Sequence, residues 1–543
     1  MFRCVIITPL IKNNGVIFMG KIKILDCTLR DGGYCNQWRF GENNILKIEN
    51  SLQEASIDII ECGFLTNRVE KDVNMTKYVT VDEMRNSMPE NHGNSLYVAM
   101  INYGEYEIAD IPMRSCAGVD GFRIAFHKNN MSAALDYCKE IKKKGYLVFV
   151  QPMVTLNYSD TEFLDMISEV NEINPYAFYI VDSFGMMKRR DLNRLFSIVE
   201  HNLNLDICIG FHSHNNMQLA YSNAQFLVET NPMHDVIIDT SVYGMGRGAG
   251  NLNTELFADF LNEVEGHNYN IAPLLGVIDE VLNHFYQKNY WGYSLPNYLS
   301  AAYNVHPNYA SFLSDKGTLT LEAMDGIFAA IDKSKAVEFD KGYIQELYEE
   351  YLSSNRNDDK VFTKLQELFI DKKVLLLAPG NSFVREQEKI EEFLSRQNRD
   401  DVLILGINFA PQTIKADYIF VSNMRRFKEL PRNTENVIST SNIKAESEFK
   451  VDYNELINDN ADVKDNAGLM AISLLIKLGV KYIYIAGIDG YSMDASSNYE
   501  NEEMNHSLKW DYLQRQNIGI GIELEKLRNM VELHFVTTSM FDK

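Results

Sequence analysis

Residues 177–240 read AFYIVDSFGMMKRRDLNRLFSIVEHNLNLDICIGFHSHNNMQLAYSNAQFLVETNPMHDVIIDT. Three short runs rich in Val, Ile and aromatic residues, 177-AFYIVD, 207-ICIGFH and 236-VIIDTSV, are separated by stretches that read as helices. Their starts lie 30 and 29 residues apart, about the length of a strand plus a crossover helix. Working outward, the unit recurs at 22-KIKILD, 57-IDIIECG, 96-LYVAMI, 120-DGFRIAF and 146-YLVFVQP, with spacings of 35, 39, 24, 26 and 31 residues. Eight strand–helix units in series predict an α/β fold closed as a TIM (β/α)8 barrel. A doubly wound open sheet is the alternative, but its ligand crevice usually follows an early Gly-rich turn. Here polar residues gather instead at the end of almost every run.

Beyond the barrel, assigned to 20–268, the pattern becomes helical and aromatic, as in 290-YWGYSLPNYLSAAY and 321-LEAMDGIFAAIDKSKAVEF, and predicts a helical extension over 269–360. Polar 353-SSNRNDDK reads as a linker. A second alternation then predicts a Rossmann-like α/β domain over 370–543, with strands at 373-KVLLLA, 402-VLILGI, 417-DYIFVS, 481-KYIYIAG and 533-LHFVTT and a helix near 466–478.

The 543 residues are 45% hydrophobic and 23% charged, enough to bury a sizeable core. With 75 acidic against 52 basic residues the net charge is −23, which repels phosphate backbones and anionic lipid; neither nucleic acid nor a membrane is an expected partner. Seven cysteines without a C-x-x-C pair fit a reducing cytoplasm. The start, MFRCVIITPLIKNNGVIFMG, has an apolar run broken by Pro and Asn-Asn-Gly and no evident cleavage site, so residues 1–18 read as an upstream extension.

In a barrel the strand ends converge on one mouth. In order they offer Arg30 and Asp31, Glu61, Asn102, Arg123 with His127, Gln151, Asp182 with Ser183, His212 with His214, and Thr240 followed by Asn251. Any one of these alone is equally a solvated loop residue. His212 and His214 stand at i and i+2 of a strand and so share a face, where two imidazoles can reach one cation. Asp31 could add a hard oxygen, giving a site of two histidines and one carboxylate with open positions. Arg30 beside it is the residue type suited to a substrate carboxylate or enolate oxygen, or else to a salt bridge with Asp31 or Glu61. A metal-chelated α-keto acid with Arg30 on the developing enolate oxygen is a setting for aldol or Claisen chemistry. The same ligand set suits Fe(II), so a non-haem iron site is a further reading. A Schiff-base aldolase would need a desolvated lysine in the mouth, and the strand ends offer only Lys128 and Lys188.

Three segments carry a resemblance. The sequence 26-DCTLRDGGY resembles a D-x-T-L-R-D-G signature, 209-IGFHSHNN a G-x-H-x-H-N segment, and 244-GMGRGAGNLNTE a G-x-G-x-x-x-G-N stretch. Together they resemble the metallolyase barrels that include hydroxymethylglutaryl-CoA lyase, isopropylmalate and homocitrate synthases and 4-hydroxy-2-oxovalerate aldolase. The resemblance covers about 22–265. It implies Asp31, His212 and His214 as ligands of Mn2+ or Mg2+, Asn251 near or on the metal, Arg30 on the enolate oxygen, and Glu61 as the family's glutamate after strand two. Where the oxovalerate aldolases carry a histidine in R-D-G-x-H, this chain has Tyr34. A phenol, with an ordinary pKa of about 10, is a poor base at neutral pH, so Tyr34 could relay a proton, position substrate or shape the pocket. His127 and Tyr293 are the other acid/base candidates. The segment 290-YWGYSLPNYLSA resembles the aldolase branch, as found in aldolase-like proteins of glycan loci.

In the second domain, 378-APGNSF followed by a helix could hold a phosphate at a helix N-terminus, although the G-x-G-x-x-G fingerprint is absent. The segment 465-DNAGLMAISLLIKLGVKYIYIAGIDGYS resembles one shared by Rossmann-like bacterial sialyltransferases and pterin-pyrophosphokinase-like domains. That resemblance implies a nucleotide site at Gly380, Asn381, Ser382, Asp489 and Tyr491. The expectation is a cytoplasmic, homo-oligomeric, metal-dependent carbon–carbon lyase acting on an α-keto acid such as pyruvate and an aldehyde, in glycan or capsule precursor synthesis. The alternatives are a Claisen-type acyl-CoA synthase and a bifunctional protein whose C-terminal domain binds or transfers a nucleotide sugar.

Overall fold

A computed structural model of the protein describes residues 20–114, 118–353, 358–494, 497–501, 504 and 510–542. The reading of 1–18 as an extension, and half of the linker, 354–357, lie outside these residues. The chain forms two compact units: one runs up to Asn308 and includes Ala336–Phe339, the other comprises Tyr309–Lys335 and Asp340 onward. Helices within the region read as a single extension are therefore shared between the two units.

In the first unit, strands β1 (Ile22–Asp26), β2 (Ile59–Leu65), β4 (Leu96–Asn102), β5 (Gly121–Phe126), β6 (Leu147–Pro152), β7 (Ala177–Asp182), β8 (Cys208–Ser213) and β9 (Val236–Thr240) pair in parallel around a closed ring. β1 meets both β9 and β2 and closes it. The expected barrel is present, with all eight strands near their expected positions. A two-residue strand, β3 (Lys77–Tyr78), adds to the end of β2, next to a register shift between Glu61 and Phe64. The strands are nearly all buried, since helices cover the outside and side chains fill the inside, and that double burial is why they read as near-continuous apolar runs.

Inside the barrel, alternate residues form layers. Leu25, Ile59, Val98, Phe149, Ala177 and Ile237 make an apolar layer. Two residues further along their strands, Glu61, Gln151, Tyr179 and Asp239 follow, joined by Arg123. Gly210 makes room here, because a Cβ on it would lie 2.2 Å from the Tyr179 ring.

In the second unit, seven parallel strands run in the order β14-β13-β12-β11-β10-β15-β16. They are β10 (Lys373–Leu377), β11 (Val402–Ile407), β12 (Tyr418–Val421), β13 (Val437–Thr440), β14 (Phe449–Val451), β15 (Tyr482–Ala486) and β16 (Glu532–Phe535). The expected strands and the helix Ala467–Lys477 are all there. β13 and β14 add to them: four and three residues long, they lie in polar sequence with too few alternations to register as strands.

Candidate functional site

The polar layer of the barrel is a continuous chain of charges. Arg123, fully buried, donates through Nη1 to Glu61 Oε2 (2.6 Å) and through Nη2 to Asp239 Oδ2. Arg30 donates through Nε to the same Glu61 oxygen (2.9 Å) and through Nη1 to Asp31 Oδ1 (2.6 Å). The salt bridges of Arg30 to Asp31 and Glu61 are thus both present, and Glu61 is the carboxylate shared by both arginines. Buried charges of this kind persist only when paired with opposite charges, as Glu61 and Asp239 are here. With Gln151 oriented so that its oxygen faces Arg123, it accepts from that guanidinium as well.

Above this layer stand His212 and His214, with ring centroids 5.0 Å apart and planes at 89°. His212 Nδ1 lies 2.9 Å from Asp239 Oδ2, so a neutral ring donates there and keeps a lone pair on Nε2. His214 Nδ1 is buried without a hydrogen-bond partner, 3.7 Å from Asp31 Oδ2. Burial, together with Arg247, His212 and Arg30 and against the pull of Asp31, pushes His214 down to about 3, which keeps it neutral. Burial would raise Asp31, but the Arg30 and Arg247 guanidiniums outweigh it and hold the carboxyl well below the usual range. Asp31, His212 and His214 each offer a ligand atom, all within 4.8 Å of one another, and all three residues are buried.

The fourth expected ligand is beside them. Asn251 donates through Nδ2 to Asp31 Oδ2 (2.7 Å) while its Oδ1 is buried without a partner. The glycine-rich segment brings the chain against this cluster: a Cβ on Gly246 would lie 2.4 Å from Asn251 Nδ2 and 2.9 Å from Asp31 Oδ2. Two imidazoles, a carboxylate and unsatisfied acceptor atoms fit a divalent cation.

At the rim, Tyr34 is 39% exposed, its ring edge-on to Trp38 and 5.3 Å from the Arg247 guanidinium. His127 is half-buried; burial and Arg247 push its pKa down while Glu338 pulls it up. His306, contributed by the segment after the barrel, stands 3.2 Å from Arg247 through Nε2. Of the other strand-end residues, Asp182 takes a local role, accepting from the backbone N–H groups of Met186 and Met187 (3.0 Å each). Lys128 pairs with Glu162 on the surface and Lys188 is exposed, so neither is a desolvated amine. Tyr293 is 56% exposed.

Asp239, Arg247 and His306 were not singled out from sequence. A signal existed for Asp239, a charge on the inward face of an apolar strand. Arg247 lay inside a quoted motif, and only His306 was without a signal.

The HMGL-like family profile matches residues 21–275. Residues 21–275 form an HMGL-like domain. A 4-hydroxy-2-oxovalerate aldolase of Pelotomaculum thermopropionicum is 26% identical over 252 residues, which are 46% of this chain and 72% of that one. Another, from Pseudoalteromonas translucida, is 23% identical over 264 residues, 48% and 76% of the two chains. Among solved structures, the N-terminal domain of a Bacteroides vulgatus protein assigned as an aldolase is 27% identical, with a TM-score of 0.47, covering 55% of this chain and 98% of that one. The candidate metal cluster and the polar layer beneath it lie wholly within the HMGL-like domain. No helix among the described residues is long and apolar enough to cross a membrane.

The second unit has a cleft of about 1160 Å3, counted out to its solvent mouth. It lies at the carboxyl ends of β10, β11, β12 and β15, where strand order turns from one side of β10 to the other, the usual ligand position in such sheets. The expected Gly380, Asp489 and Tyr491 line it. Ser382 and Asp489, however, bond to each other: Ser382 N donates to Asp489 Oδ2 (2.7 Å), and its hydroxyl bonds Asp489 and Thr537. The helix after 378-APGNSF is only Ser382–Arg385, with Asn381 at its cap making no side-chain cap bond, so the anion-holding helix start read from sequence is a loop staple. Gly380 is required by close packing, since a Cβ there would meet Gly487 O at 2.3 Å. Lys316, Asn408, Asn423, Arg426, Asp465 and Asn466 are among the polar side chains that sequence reading did not place on this cleft.

Proposed function

We propose that the HMGL-like domain is a divalent-metal-dependent aldolase or lyase that makes or breaks a carbon–carbon bond next to an α-keto acid, with pyruvate as enolate donor and an aldehyde as partner. The observation that carries this reading is the convergence of Asp31, His212 and His214 with acceptor atoms left unsatisfied. These three would hold Mn2+ or Mg2+, with Asn251 Oδ1 beside them. A bound cation supplies Lewis acidity to the oxygens of a keto acid.

The remaining work belongs to the chain's own side chains. Arg30 spends Nε and Nη1 on Glu61 and Asp31, and its Nη2, which takes part in neither bond, is the donor for a developing enolate oxygen. Glu61 is the positioning residue for that guanidinium, itself fixed by Arg123. Tyr34 Oη, at the exposed rim, passes the proton between solvent and the substrate carbon, and neutral His127 is the second acceptor within the mouth. The aldolase names of the relatives, which are about a quarter identical, support the reaction class.

Chelation is expected to abolish aldol cleavage and pyruvate C3 proton exchange, with Mn2+ restoring both. Full activity in chelator, with borohydride trapping pyruvate on a lysine, would contradict the mechanism. Lys77 is the amine that arm interrogates, since burial lowers its pKa and its Nζ lies 3.4 Å from the Trp38 ring centroid.

A second reading concerns the other unit. The cleft at the strand-order switch, lined by Lys316, Arg426 and four asparagines beside the acids Asp465 and Asp489, favours a nucleotide or nucleotide sugar there, consistent with a role in glycan or capsule precursor synthesis. Calorimetric titration of the full chain with CMP and UDP tests it; no heat from either at millimolar concentration would contradict it.

A further inference from the structure

His306 and Arg247 face each other at the rim of the barrel, with His306 Nε2 3.2 Å from Arg247 Nη1. The backbone N–H of Asn308, in the first turn of the helix Pro307–Asp315, donates to His306 Nδ1 at 3.1 Å. That bond requires Nδ1 to carry the lone pair, so the proton of the neutral ring sits on Nε2. Burial, with Arg247, His127 and His214 nearby, pushes His306 down to about 2, so the ring is neutral. The Nε2–H then points at Arg247 Nη1, another donor, 3.2 Å away. Moving the proton to Nδ1 would only shift the conflict to the Asn308 N–H, which the helix start fixes in place. An acceptor that bridges the two donors at the side-chain end would relieve the conflict.

Arg247 itself is held for such a task. Its Nη2 donates to Ser183 O (3.1 Å), which anchors the guanidinium, while its Nε is buried without a hydrogen-bond partner. Its neighbour Gly246 packs on Asp31 and Asn251, so the donors stand next to the candidate metal cluster, within reach of a small substrate. A chain of net charge −23 needs such local cationic donors to admit an anion.

We propose that Arg247 and His306 form a two-donor clamp for an anionic oxygen of the substrate, a carboxylate or phosphate. The proposal rests on the reading of the barrel mouth as the aldol site. The anion comes from the keto acid's own carboxylate or from an acidic group on the carbonyl partner.

Calorimetric titrations of the full-length, Mn2+-loaded chain with pyruvate, inorganic phosphate and uncharged methyl pyruvate test the clamp. Arg247→Gln is expected to weaken an anionic probe by about tenfold or more, the loss typical of a charge-assisted pair. His306→Ala should weaken it less, and His306→Gln, which keeps an N–H donor, should restore part of that loss. Methyl pyruvate affinity should change less than about twofold, because the ester makes no charge-assisted bond to Arg247. Loss of pyruvate binding assigns the anion to the keto acid; loss of phosphate binding alone assigns it to the partner. Unchanged affinities for both anions, or an equal loss for methyl pyruvate, would overturn the clamp. Should Arg247→Gln fail to fold, Arg247→Lys, which keeps charge but not the fork, is expected to show an intermediate loss. A chain that takes up no Mn2+ would contradict the aldol reading instead, and phosphate titration of the metal-free chain would then decide the clamp.

Discussion

Both units present a candidate site at the carboxyl ends of parallel strands, and the two spend their motif residues in opposite ways. In the barrel, Asp31, His212, His214 and Asn251 converge while His214 Nδ1 and Asn251 Oδ1 keep no partner, and Asp239 and Arg123 beneath them hold the array in place. In the second unit, Ser382, Asp489 and Thr537 bond to one another and close a loop. Polar residues in a motif point to chemistry when the fold leaves their atoms unsatisfied at a mouth, and to architecture when the fold pairs them off.

The largest expected effect separates the two directly. Asp31→Asn or His212→Ala should lower carbon–carbon lyase activity by about a thousandfold or more, since each removes a ligand at the reacting centre. Ser382→Ala should leave that activity within twofold, roughly the scatter of a substitution remote from a site; steady-state kinetics on purified variants check both.

Asp239→Asn tests the layer beneath. Without the carboxylate that orients His212, Mn2+ affinity should fall by about 10–100-fold, as for other partners of metal-ligating histidines. Electron paramagnetic resonance of free Mn2+ during titration reads this without any turnover. An unchanged affinity would mean that the histidine is held by packing alone.

A third variant asks whether an unsatisfied acid is by itself a mark of function. Glu49, in the helix Glu42–Glu54, is fully buried and neither carboxyl oxygen has a partner, yet it lies on a helix outside the barrel strands, near Cys62, Tyr78 and Tyr97. Burial pushes its pKa well above 4.5. The folded state thus keeps a proton that the unfolded state loses above pH 4.5, so the contribution to stability is full below that pH and is lost as pH rises towards the folded-state value. Glu49→Met should stabilise the protein by about 1–3 kcal/mol at pH 8 and by less at pH 5, with activity retained. Equal effects at both pH values in denaturant unfolding would contradict a protonated Glu49. The smallest effect belongs to the loop staple: Ser382→Ala should cost the second unit about 1 kcal/mol in the same measurement.

How much of this was legible in the sequence follows from the same physics. The barrel strands stood out because they are buried on both faces and therefore read as unbroken apolar runs. β3, β13 and β14 were hidden because two to four residues leave no pattern. The candidate metal cluster is legible through His212 and His214, whose spacing of two matches the strand repeat, and through the motif around Asp31. Asp239 and Arg123 become meaningful only when the ring closes and brings β5 and β9 to opposite sides of one layer. His306 lies outside every barrel unit, in a segment read only as helical, and its role depends on which nitrogen the Asn308 N–H occupies. Ser382 and Asp489 looked like ligand-binding residues because a strand-to-helix turn has the same local sequence whether its N–H groups face a ligand or a neighbouring loop.

The central claim is that Asp31, His212 and His214 form one metal centre that serves keto-acid chemistry. Its most direct test is Mn2+ titration of the metal-free full chain followed by electron paramagnetic resonance, for the native sequence and for His212→Ala with His214→Ala, with pyruvate added at the end. The expected result is one tight Mn2+ per chain, lost in the double variant, with a Mn2+ signal that changes when pyruvate binds. Equal Mn2+ uptake by both proteins, or a signal that pyruvate leaves unchanged, would contradict the account.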